Sequence, residues 1–542
     1  MKKLLSLFTF MLFATVLLNS CRNPAYEMNV LFDADVIKYK ATLILKGAAG
    51  ETLPANITVE AAGQDAASIY DFSGTKKIYA PAGVITLGVT PKDIPTASKT
   101  LAFNVKITAP GYEDKNIEMT IAENQFSQVI EVTMLKTVLP TEASVVKIVE
   151  AALSPTGATT APISIVTPVN GDVEQSTSIT VPTGTQFKDA AGNVIVGSAV
   201  TAQAINFDPS DPLSVELFPA GSLSSSNVVL PNGQTGEAFF LPAGFTDIQM
   251  FVGGVEVKNF TNPISISIGL DPDFRPQATG LPLAVGDKLG IYAYRTEVGQ
   301  FTYEGEGTVA LVNGKLTVTF STNHLTVFIV GDVVVKPASC LDPSLTFSAP
   351  WMTNGATEPM TLEIYDTSDK LLATGPTIVS NGKVEVLTGL PSFAVKFKLV
   401  NNAGKVLASG NITDPCAGGN INVTVDNPGS NVQSISLILN VKCPNKGFII
   451  VPNFDLFYKP AGAPASAYTL LGTTSQGVLR TTLLTIGASY DFRATWNNQI
   501  KEVKGRTITS ADMSTVVGEN DFLGDKSPAF NKSLLIEACK GF

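Results

Sequence analysis

The chain is expected to be all-β, a series of tandem Ig-like β-sandwich domains, and three observations predict it. Short runs rich in Val, Ile and Thr alternate apolar with polar residues, as strands buried on one face do. Turn formers bound these runs: 45 glycines and 33 prolines are spread along the whole chain. A length of 542 residues exceeds what a single core holds, so several domains are expected. Hydrophobic residues make up 44% and charged residues 15%, which supplies apolar surface to bury and does not match a disordered composition.

Residues 1–20 stand apart from this pattern. Lys2 and Lys3 are followed by an apolar run, Leu4 to Leu18, too short to span a bilayer comfortably, and then by Leu18-Asn19-Ser20-Cys21. The segment resembles the signal peptide and lipobox of bacterial lipoproteins, with Asn19 a departure from the commoner small residues. The resemblance implies that the chain is cut before Cys21 and that Cys21 carries acyl chains, such as palmitate. Residues 21–27 would then be a lipidated tether to the outer membrane, with the membrane face left open. Two or three acyl chains anchor stably where one does not.

A first sandwich is expected over 28–136. Lys38–Lys46 alternates in polarity, Thr58–Ala61 and Val84–Thr90 continue the pattern, and Phe103–Thr108 and Ile117–Ile121 flank a Pro110-Gly111 turn before Val129–Met134. Ala109-Pro-Gly-Tyr112 with its paired strands resembles the Ig-like or transthyretin-like modules of Bacteroidota-type surface lipoproteins. Residues 137–162 read as a linker in which Glu142–Ala152 can form one short helix.

The region 163–335 is the most distinctive. Strands are expected at Thr177–Val181, Ala199–Ile205, Ile264–Ile268, Lys288–Tyr294 and Lys315–Phe320. Ile179-Thr-Val-Pro-Thr-Gly-Thr185, the D-x-x-G turn at Asp189–Gly192, Gly286-Asp287, Phe301–Gly307 and Asn323–Phe328 follow one another in an order that resembles ZU5-UPA and GAIN-like sandwiches. His324-Leu325-Thr326 matches the tripeptide at which some members of those families cut themselves. The resemblance implies a Thr326 hydroxyl that attacks the Leu325 carbonyl, with His324, the only histidine of the chain, accepting the proton. The flanking Cys and Trp of the receptor proteolysis motif are missing.

The remaining cysteines, Cys340, Cys416, Cys443 and Cys539, divide the C-terminal part into modules at 336–432 and 433–542. Four cysteines allow three connectivities. Bridges in series, Cys340 to Cys416 and Cys443 to Cys539, are expected because each pair flanks one run of strands, and an exported chain permits them.

The chemistry this composition supports is narrow. One histidine rules out most catalytic layouts, His- or Cys-rich zinc sites lack ligands, and no Gly-rich phosphate loop follows a strand and opens a helix. The Asp-Pro loops Asp208–Pro212 and Asp271–Phe274 read as turns, short of the ligand count of a calcium loop. Trp351 and Trp496 read as core residues rather than sugar platforms. A formal net charge of −10, two units more negative once Lys2 and Lys3 are removed, repels nucleic acid.

The expectation is therefore a non-enzymatic adhesion, scaffold or binding lipoprotein of the cell envelope, with four sandwiches in a row. It takes no cofactor and no metal, and it has a protein or glycan ligand. The alternatives are a self-cleaving protein cut between Leu325 and Thr326, a carbohydrate-binding accessory lipoprotein and a fimbrial subunit.

Overall fold

The computed structural model describes residues 30–33, 37–429, 432–442, 448–451, 453–496 and 498–517, and within them the chain is almost entirely β. The first sandwich follows directly from alternation. Along Leu101–Thr108 the residues Leu101, Phe103, Val105 and Ile107 point inward and their neighbours outward, so one face of the strand enters the core. Two sheets form. Lys40–Gly47 lies between Val84–Val89, antiparallel, and Ser127–Met134, parallel, while Leu101–Thr108 lies between Thr58–Ala62 and Lys115–Ile121.

The same wiring recurs twice. In the third sandwich Ser344–Ser348 sits between Val384–Val386, antiparallel, and Asn420–Thr424, parallel. In the fourth, Ile435–Lys442 pairs antiparallel with Val478–Thr481 and parallel with Asp512–Val517. The facing sheets also correspond, with Glu358–Tyr365, Val395–Val400 and Val406–Ile412 matching Asp455–Pro460, Ser489–Trp496 and Gln499–Thr507. In each unit the first strand is thereby covered on both sides, and the last strand forms an edge of that sheet. One strand differs: Ile69–Asp71 pairs within the sheet of the first strand, whereas its counterparts Leu371–Val379 and Thr469–Thr473 pair on the opposite sheet.

The second unit is larger. Its two faces are joined by the long strand Gln300–Val312, which pairs with Lys288–Arg295 along its first part and with Lys315–His324 over Val309–Val312. The crossing is eased by Gly305, whose φ of 139° few side chains tolerate, next to a register shift at Ile291/Tyr292. Residues such as Ile179, Ile266, Val318 and Phe328 fill the space between the faces. The strand Thr235–Val252 contains Pro242, which has no N–H for the ladder, and its register against Val327–Val335 slips between Pro242 and Gly244.

Two sequence expectations are corrected. Glu142–Ala152 is not helical: Ser144–Ala152 is a strand that pairs with Ala199–Phe207 over its whole length. Val145, Val146, Ile148 and Val149 are β-branched and favour a strand, and the edge of Ala199–Phe207 supplies the hydrogen-bond partners for it. The four sandwiches also do not stand in a row. The fourth returns to the first, where Lys40 Nζ meets Asp455 Oδ1 at 2.5 Å and Val84 and Val129 pack on Phe457 and Leu470. The fourth also meets the third, through Thr357 N donating to the Arg480 carbonyl at 2.8 Å and the Thr482 hydroxyl donating to Glu358 at 2.6 Å. Val30–Asp33, at the start of the described chain, pairs parallel with Phe448–Val451 of that last unit.

Candidate functional site

The His324-Leu325-Thr326 segment connects two strands that follow one another in the chain but belong to opposite faces of the second sandwich, Lys315–His324, paired with Asn259–Gly269, and Val327–Val335, paired with Lys288–Arg295. Leu325 is buried and its N–H donates to the Lys258 carbonyl at 3.0 Å, which ties the turn to the body of the sandwich. The His324 Nε2 lies 3.4 Å from Glu304 Oε2, and its ring packs on Phe328. The Thr326 hydroxyl donates to the Tyr294 carbonyl. No hydrogen bond joins His324 to Thr326, and none of the three residues has the left-handed φ that would mark backbone strain. The three residues are adjacent, but the hydroxyl and the imidazole are each engaged elsewhere.

What the segment does is line one wall of a cleft of about 870 Å³ between the first and second sandwiches. This volume lies within the usual range of ligand pockets, about 300–1,000 Å³. The opposite wall comes from the turn Tyr112–Lys115 of the first sandwich, and the floor from Phe245–Gln249 of the second. Hydrogen bonds fix the two walls relative to each other. Glu118 accepts from the Ser225 hydroxyl at 2.5 Å and from the Ser226 N–H at 2.9 Å; the Asn116 amide donates to the Thr296 carbonyl at 2.9 Å, and the Tyr294 hydroxyl donates to the Asn116 carbonyl at 3.2 Å.

Three ionisable groups meet in this cleft. Burial pushes the Glu113 carboxyl well above the usual carboxylate range, and the nearby Asp247 adds to the effect while Lys115 opposes it. Burial likewise raises Asp247, in spite of hydrogen bonds from Glu113 and Gln249, and lowers the Lys115 ammonium. The Lys115 Nζ donates to the Leu217 carbonyl at 3.2 Å. Sequence reasoning missed this cluster because its members lie far apart in the chain, and only the docking of two sandwiches unites them. An acid within a long, mostly apolar and buried strand, Asp247, was the one available signal.

The Asp-Pro loops behave as turns. The Asp208 carboxylate accepts from the Ser210 N–H at 2.9 Å, and Asp211 caps the short helix Pro212–Leu217 by accepting from the Leu213 N–H at 2.8 Å. Asp271 accepts from the Asp273 N–H at 2.9 Å and faces Lys370 at 3.7 Å. Among the described residues no group of three or more His, Cys, Asp or Glu side chains is arranged to hold a metal ion, and no helix is long and apolar enough to cross a membrane. Trp351 donates its indole N–H to the Val425 carbonyl at 2.9 Å and packs against the third core. A disulfide joins Cys340 to Cys416 at the two ends of the third sandwich. Cys21, Cys443 and Cys539 lie outside the described residues, as does the Trp496 side chain.

No protein-family model and no curated protein matches the chain. Among solved structures it is similar to the Bacillus anthracis TIE protein, at 10% identity and a TM-score of 0.13 over 69% of this chain; it spans 57% of that protein's length. It is also similar to the shaft pilin SpaA from Lactobacillus rhamnosus GG, at 12% identity and a TM-score of 0.15, covering 35% of this chain and all of the pilin. A Streptococcal ancillary pilin gives 8% identity and a TM-score of 0.14 over 44% of this chain and 93% of its own. Overlaps this partial carry no functional argument. The chain is an all-β protein of several packed sandwiches.

Proposed function

We propose that the chain is a lipid-anchored cell-envelope protein that binds or adheres to a partner and does not turn over a substrate. The observation that carries this reading is the way the sandwiches close on one another around buried polar contacts such as Lys40–Asp455, with a large cleft set between two of them. Such a body presents a fixed binding surface, and a cleft walled by two docked units is a common place for a ligand. The leader and Cys21 supply the location, at the outer membrane. The anchor is tested by detergent phase partition. Wild-type mature protein is expected in the detergent phase and Cys21→Ala in the aqueous phase or as uncut precursor. Equal partition of the two would remove the anchor from this reading.

A further inference from the structure

The cleft between the first and second sandwiches contains acids and bases in unequal number. At its rim Lys258 has Glu256 as partner at 2.7 Å and Arg295 has Glu297 at 3.7 Å, and the His324 imidazole lies 3.4 Å from Glu304. Lys106 and Asp114 add one charge of each sign. The interior is different, since two carboxyls, Glu113 and Asp247, face the single ammonium of Lys115. The Asp247 Oδ2 accepts from the Gln249 amide at 2.8 Å. Glu113 Oε1 is buried and accepts no hydrogen bond at all. A buried acceptor without a donor is destabilising, so its presence at a cleft wall marks a place where a donor from outside fits.

We propose that this cleft binds a ligand through one primary ammonium or guanidinium group, which donates to Glu113 Oε1 and supplies the positive charge that Glu113 and Asp247 together lack. The proposal gives a ligand class to the binding role above, but it depends on the cleft and not on Cys21. In the empty cleft a proton held by the carboxyl pair does the balancing, which agrees with the upward displacement of both acids by burial. When the ligand cation enters, that proton leaves to solvent, so charge is conserved and each binding event releases a proton. The buried tyrosines Tyr112 and Tyr294 are both pushed up and stay neutral throughout. An anionic ligand is disfavoured, because every rim cation but Lys106 is already paired.

The test is calorimetric titration of the purified full chain with three probes: a doubly capped Gly-Lys-Gly peptide, the same peptide acetylated on the lysine, and cadaverine. The expected result is saturable binding of at least one cationic probe and none of the acetylated peptide. Comparison of two buffers should show proton release, and affinity should rise by about tenfold per pH unit while the pair is protonated. The stronger of the two cations tells whether the source is a partner's side chain or a free amine. Glu113→Gln, which keeps the shape and can still bond to Asp247, should weaken binding at least about tenfold and flatten the pH slope, since one carboxyl then balances Lys115. Equal binding of the acetylated peptide, no saturable binding of either cation, or an unaffected Glu113→Gln would overturn the proposal. So would binding of a neutral oligosaccharide such as maltotriose in place of the cations. None of these outcomes bears on detergent partition, so the two readings fail separately.

Discussion

Thr326 illustrates how a tripeptide can match a reactive motif without the reactive geometry. An N-to-O acyl shift needs the hydroxyl aimed at the preceding carbonyl and a base free to take its proton, but here the Thr326 hydroxyl is bonded to Tyr294 and the imidazole faces Glu304. Freshly folded protein boiled in denaturant is expected to run as one full-length band, and Thr326→Ala to change only stability, by about 1 kcal/mol for one lost hydrogen bond. Two fragments joining at Leu325 and Thr326 would restore the self-cleaving reading. Glu113 sets a second expectation at this scale. Its folded form keeps its proton to higher pH than the unfolded chain, whose ordinary value is 4.5. Its stabilising effect is therefore complete below that value and declines as pH rises towards the folded one. Melting temperature should fall over that window, and Glu113→Gln should reduce the fall; an unchanged slope would show that Glu113 is not the group responsible.

Strands in this protein are shaped by the residues that interrupt them. Pro242 breaks the ladder of Thr235–Val252, and Gly331 on the neighbouring strand Val327–Val335 lets the backbones approach: a Cβ there would stand 2.2 Å from the Leu241 carbonyl oxygen. Because the obstacle is backbone, it cannot swing aside. Gly331→Ala should destabilise the second sandwich by about 1–3 kcal/mol or more, as overpacking does, seen as a lower denaturation midpoint. A wild-type midpoint would mean that the bulge relaxes freely. The aromatic residues beside it are equally committed. Phe207 stacks on Phe245 at 4.5 Å, and Phe218 meets Phe245 edge-on at 5.5 Å, forming a core that continues from the second sandwich into the third.

Across the whole molecule, the fourth sandwich meets the first through a buried ion pair, Lys40–Asp455, beside the apolar contact of Val84 and Val129 with Phe457 and Leu470. Burial alone would raise the Asp455 carboxyl, but the Lys40 ammonium and hydrogen bonds from Lys40, Thr42 and Thr473 hold it below its ordinary value of 3.8. The contribution of Asp455 is thus present above 3.8 and lost as pH falls through its folded value. Asp455→Ala leaves Lys40 charged and buried, at a cost of about 3–5 kcal/mol. The expected readout is faster proteolysis or hydrogen exchange in both terminal sandwiches at once. Loss of protection confined to the fourth would indicate that the junction contributes little.

Much of this was legible in the chain itself. Alternation placed Thr177–Val181, Val84–Val89 and Lys115–Ile121 within a few residues of their true ends, because burial on one face of a strand imposes period two on its residues. The pairing of Cys340 with Cys416 could be anticipated from their places on either side of one run of strands. Ser144–Ala152 departs from the short helix expected over Glu142–Ala152 because its β-branched residues favour an extended backbone and the edge of Ala199–Phe207, which only the tertiary structure brings alongside, completes the pairing. The cleft was not legible at all. Glu113, Asp247 and His324 carry no mutual signal in one dimension, since what brings them together is the docking of two sandwiches, a contact between surfaces. Local sequence determines which residues turn inward within a strand; which surfaces meet, and so where charge is buried and a ligand can enter, is decided by the packing of finished units.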